Sequence, residues 1–80
     1  MDDVKELVVV LDPDDAAIKD RIETILEHFP DNRPIFDNVA AVYVGYEVRF
    51  EQVAEQIRSL VKPCDYAVFE VSNRAGEGDF

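Results

Sequence analysis

An α+β domain, built as a four-stranded antiparallel sheet with two helices on one face, is the fold class that this 80-residue sequence predicts. Three observations lead there. Short apolar runs rich in Val, Ala and Tyr alternate with two stretches whose apolar residues recur at helical spacing. The order is strand, helix, two strands across a tight turn, helix, strand. Finally, 80 residues with 48% hydrophobic content can fill one modest core, so any function must use the surface of that single unit.

Taken in order, Glu6–Asp12 (ELVVVLD) is a continuous aliphatic run too short for a helix, and it reads as a central strand buried on both sides. Asp12-Pro13-Asp14-Asp15 predicts a helix start, with Asp12 as cap, Pro13 at the first helical position and the next acids at the positive end of the dipole. Ile18, Ile22, Ile25, Leu26 and Phe29 then share one face of a helix running to about His28, and Pro30 ends it. Arg33–Asp37 is short and proline-bearing, as an edge strand tolerates. Asp37-Asn38 predicts a tight turn into Val39–Val44, a second central strand. Phe50, Val53, Ala54, Ile57, Leu60 and Val61 mark the second helix, whose expected cap position holds Arg49 and which Lys62-Pro63 terminates. Tyr66–Val71 is the last strand. Residues 1–72 thus form one domain, and 73–80, with two glycines and little to bury, are expected to be a flexible C-terminal tail.

This order is the βαββαβ, ferredoxin-like arrangement, which leaves one sheet face without helices. On a monomer that face should turn polar, yet the strands are apolar on both sides: Val8 and Val10 against Leu7, Val9 and Leu11, and Ala40, Val42 and Val44 against Val39, Ala41 and Tyr43. The expectation is a homodimer that buries the surplus, with Val8, Val10, Val42, Val44, Tyr66 and Val68 as its face.

Eighteen acidic against eight basic residues give a net charge of −10, a field that repels phosphate backbones and anionic lipid. Unaided nucleic-acid binding is therefore not expected, and the acidic surface suits either solubility or a basic protein partner. A lone cysteine, Cys64, rules out an internal disulfide and a cysteine-based zinc site; pairing it with His28, the only histidine, would make a nucleophile, but nothing in the order of residues brings the two together. Asp12, Asp14 and Asp15 only superficially resemble a calcium loop, lacking its glycine and closing glutamate. Tyr43, Tyr46 and Tyr66 could stack bases, but no basic stripe is interleaved, which favours packing. An acidic N-terminus and the absence of an apolar run near ~18 residues predict a soluble, cytoplasmic protein away from membranes.

The apolar first strand closing on Asp12, the Arg33-Pro34-Ile35 approach, the Val42-Tyr43-Val44 strand, the Glu51-Gln52-Val53 helix start and Asp65 leading into Tyr66–Ser72 together resemble the CRISPR-associated endoribonuclease family, and especially its small SinR-like relatives. The resemblance covers roughly residues 7–72. It implies a homodimer and, in nuclease members, an aspartate at the end of the first strand of each protomer holding a divalent metal; Asp12 matches that position, which makes it the candidate catalytic and metal residue, with Mg²⁺ as the metal. The chain departs from the family in its acidity, in Arg49 standing where a serine often begins the second helix, and in lacking the aromatic small-residue motif after the last strand.

Three functions follow as expectations. The first is a small acidic, dimeric interaction or accessory module, linked through the resemblance to host defence or mobile elements, with no cofactor. The second is a Mg²⁺-dependent endonuclease using Asp12 from each protomer. The third is an acidic mimic of DNA.

Overall fold

The computed structural model describes residues 4–71. They form β1 (Val4–Leu11), α1 (Ile18–His28), β2 (Asn32–Phe36), β3 (Val39–Gly45), α2 (Phe50–Val61) and β4 (Tyr66–Val71). The strands make one antiparallel sheet in the order β2-β3-β1-β4, the ferredoxin-like arrangement. β1 is therefore central, as its unbroken aliphatic run requires, and β2 and β4 are the edges. The flexible tail expected at 73–80 lies outside the described residues.

Alternation along β1 sets the layers. Leu7, Val9 and Leu11 are buried to 1% exposure or less and meet Ala40 and Val42 of β3, Ile22, Ile25 and Phe29 around α1, and Val53, Ile57 and Val61 of α2 in one core. Ile18, Leu26, Phe50 and Leu60 close its margins. The helical residues picked out by spacing are thus the core-facing ones, with Ala54 alone lying outside the core and its margins.

Helix α1 begins at Ile18, not at Pro13 as the Asp-Pro-Asp-Asp segment predicts. The acidic segment satisfies its amides locally: Asp12 Oδ1 accepts the Asp14 N–H at 2.9 Å, and Asp15 Oδ1 accepts the Ala17 N–H at 2.8 Å. Aspartates that bond two residues ahead favour turns over helix, so two successive turns precede the first helical residue. Ala17 is the resulting cap position and has no side-chain bond to offer. At the other end, Asn32 Nδ2 donates to the Phe29 carbonyl at 2.6 Å and the Leu26 carbonyl at 3.0 Å, which answers carbonyls that a helix end leaves free.

Helix α2 starts after Arg49, as the spacing predicts. An arginine can only donate, so it cannot cap the helix amides; instead Gln52 Oε1 accepts the Arg49 N–H at 3.0 Å, half of a capping box. In β2, Pro34 lies on the edge, and the ladder with β3 shifts by one residue between Pro34 and Phe36.

Candidate functional site

Pairing in the sheet decides which side chains share the face without helices. Val8 stands between Ala41 and Phe69, Val10 between Val39 and Ala67, and Glu6 between Tyr43 and Val71. None of the apolar residues of this set belongs to the core or packs against it. Phe69 is 56% exposed, Val4 44% and Val71 40%, while Ala41, small and enclosed by its neighbours, is covered. The face is thus a nearly continuous apolar surface. Its polar groups gather toward one end, where Tyr43 Oη donates to Glu6 Oε2 at 3.4 Å and Arg33 approaches the same oxygen at 4.0 Å.

The six residues expected to form a dimer face divide between the two sides. Val8 and Val10 lie on the open face. Val42 is fully buried in the core, Val44 and Val68 pack against it, and Tyr66 lines a cleft with Phe50 and Ala54 of α2, so these four belong to the helix side. The physical reason is antiparallel parity: Leu7 faces Val42 and Val9 faces Val68, so whatever sits opposite a core residue of β1 is itself directed to the core. The residues that accompany Val8 and Val10 are Val39, Ala41, Ala67, Phe69 and Val71.

Asp12 directly follows β1, which ends one residue earlier than expected, at Leu11. Its N–H donates to the Asp65 carbonyl at 3.1 Å, and one carboxylate oxygen is held by Asp14. Among the described residues of one chain, no three His, Cys, Asp or Glu side chains come together in a group that could hold a metal ion. Asp15 is the more constrained neighbour: the Ala17 amide, and then the Arg21 guanidinium at 3.0 Å, hold its carboxyl below the usual carboxylate range. Cys64 is buried beside it, and its thiol donates to the Asp65 carbonyl at 3.3 Å. Burial pushes that thiol up, away from the nucleophilic thiolate, and its charged neighbours are Asp15 and Arg21. His28 sits in the last turn of α1 with its ring edge-on to Phe29 at 4.9 Å.

The three tyrosines do not form a stacking platform. Tyr43 is on the open face, Tyr66 on the helix side, and Tyr46 in the turn after β3.

A second exposed apolar feature lies between α1 and β2, where two adjoining clefts of about 560 and 460 Å³ share Ile18, Phe36 and Asp37. Phe36 is 69% exposed and Ile35 38%. The ladder shift leaves both residues opposite Val39, and an apolar pair following a proline in an edge strand was the available signal.

Fold and surface together define a ferredoxin-like α+β domain with an apolar sheet face that carries no helix. Comparison with protein-family models, with curated proteins and with solved structures gave no match. Among the described residues no helix is long and apolar enough to cross a membrane.

Proposed function

We propose that the chain is a small interaction module that works as a homodimer through the open face of its sheet, with no nucleic-acid affinity of its own and with its acidic exterior left to engage a basic protein. The observation that carries this reading is the exposure of Phe69, Val71 and Val4 around Val8 and Val10. Apolar surface gains roughly 25 cal/mol per Å² when it leaves water, and a second copy brings a face of the same width and polarity. The net charge of −10 supports the other half, since it attracts cationic surfaces and repels phosphate. A place in host defence or mobile-element biology rests on the family resemblance alone.

Light scattering over a dilution series tests the dimer, with Phe69→Asp in parallel. The expected result is twice the chain mass for the native protein and the chain mass for the variant, with unchanged far-UV circular dichroism. A native particle of single-chain mass at every concentration would sink the reading. The same preparations, mixed with RNA and duplex DNA with and without Mg²⁺ or Mn²⁺, should neither bind nor cleave; cleavage that Asp12→Asn abolishes would put the metal-dependent nuclease in its place.

A further inference from the structure

The cleft between α1 and β2 shares no lining residue with the open sheet face. Its apolar lining is Ile18 and Ile22 from the helix and Pro34 and Phe36 from the edge strand. Its charged lining is Glu23 and Asp37 against Lys19. Acidic residues outnumber basic ones along this wall: α1 carries Asp20, Glu23 and Glu27 against Lys19 and Arg21, and Asp12, Asp14 and Asp15 lie in the turns before it. An aromatic ring left 69% exposed at the mouth of such a cleft is the kind of residue that anchors a partner.

Two features restrict what can occupy it. An added strand would have to pair with the outer edge of β2, but Pro34 has no N–H to give and the ladder shifts between Pro34 and Phe36, so that edge is a poor template. A helix satisfies its own backbone and needs only an apolar stripe to lie against the wall. The charge fixes the rest. A second copy at −10 is repelled from an acidic rim, whereas Lys or Arg on the flanks of an apolar stripe would meet Glu23 and Asp37.

We infer that this cleft is the docking site for a short cationic amphipathic helix of a partner protein, with Phe36 as its apolar anchor and Glu23 and Asp37 as its charge readers. The inference deepens the basic-partner half of the proposed function and does not depend on the dimer. The wall offered by α1 is 11 residues long, about 16 Å at ~1.5 Å per residue, which three turns of a partner helix match.

The test uses a fluorescein-labelled peptide of about 12 residues with Leu at i, i+3, i+4 and i+7 spacing and Lys elsewhere, followed by fluorescence anisotropy against the full chain. Two controls replace its lysines with glutamate or its leucines with serine. Binding of the Leu/Lys peptide should fall at least tenfold for either control and for Phe36→Ser, whose exposed ring contributes little to the fold. It should fall several-fold for Asp37→Asn and stay unchanged for Phe69→Ser, which alters only the open sheet face. Equal binding by the serine control would reduce the interaction to charge and overturn the inference. So would full binding by Phe36→Ser, or loss on Phe69→Ser instead, either of which keeps a basic partner but moves it elsewhere. No binding at all would overturn the cleft and the basic-partner reading together, while the mass measurement decides the dimer separately.

Discussion

The two faces of this sheet are made from nearly the same residues and have opposite fates. On one, Leu7, Val9, Leu11, Ala40 and Val42 are sealed beneath two helices; on the other, Val8, Val10, Val39 and Ala67 are half covered, and Phe69 stands 56% exposed. Composition hardly separates them, since both are mainly valine and alanine, with two leucines on the covered face and one phenylalanine on the open one. Position in the pleat does, and the contrast teaches that half of the apolar content of the central strands contributes to a core that one chain completes, while the other half gains its hydrophobic stabilisation only if something else covers it.

Adjacent residues of β1 provide the sharpest way to break that contrast. Val9→Asp places a carboxylate among Leu11, Ala40 and the helices, where it has no partner and no water. Such a change costs roughly 3–5 kcal/mol or more, most of the stability of a domain this size, so the variant should be unfolded by circular dichroism. Val10→Asp, one residue on, should fold with its native spectrum and run as a single chain by light scattering. If both variants unfold, the open face is part of the core after all; if Val10→Asp folds and still dimerises, the second copy docks elsewhere.

The fold class was legible because each element carried its own signal. The helical spacing at Ile18–Phe29 and Phe50–Val61, the proline in the edge strand and the Asp37-Asn38 turn each point to one local structure. What was not legible was parity in β3 and β4. Val39–Val44 is apolar at every position and so has no polar marker for its outer side. In β4 the marker is inverted: Glu70 is on the helix side, where it meets Lys5 at 4.0 Å, and Phe69 is on the open side. A rule that places charge outward and aromatics inward assigns that strand backwards. The helix start failed for a different reason, because Asp-Pro-Asp-Asp is equally good turn chemistry, and two hydrogen bonds too local to be inferred decided between them. Of the candidate site, the existence of an apolar open face could be read; of the six residues named for a dimer face, Val8 and Val10 lie on that side and the other four on the helix side, and the α1–β2 cleft was not foreseen.

Register itself can be tested at Asn38. Its Nδ2 donates to the Leu11 carbonyl at 2.9 Å while its own carbonyl accepts the Leu11 N–H at 2.9 Å, a two-way clamp between the hairpin turn and the end of β1. Asn38→Ala removes one bond and leaves a carbonyl short, worth about 1–2 kcal/mol by urea unfolding. A much smaller loss would mean that side-chain packing alone keeps β1 in register with β3.

Salt should act on the two faces in opposite senses. Bringing two chains of −10 together is opposed by their charge, so raising ionic strength from about 0.05 to about 0.5 M should tighten the dimer several-fold by sedimentation. The same change should weaken cationic peptide binding at the α1–β2 cleft. Dimerisation that weakens in salt would mean that the interface is made of ion pairs and not of the apolar face.

The smallest expected effect is on the covered face, where Asp15 and Arg21 secure the approach to α1. The Asp15 carboxyl is held below its ordinary value of 3.8, first by the Ala17 amide and then by Arg21, so its charged form is favoured in the folded chain. A group whose acidity rises on folding stabilises the fold fully above its unfolded value and loses that contribution as pH falls through the lower folded value. Between neutral pH and about 5 it should therefore contribute a constant amount, and the loss should begin near 3.8 and continue below it. Asp15→Asn should be modestly less stable than the native chain at neutral pH, and the gap in melting temperature should narrow below pH 4 as the native carboxyl takes up its proton. A gap that stays constant down to the acid limit would mean that Arg21 and the Ala17 amide hold the loop equally well without the charge. The start of α1 would then be fixed by Ile18 and Ile22 packing on the sheet alone.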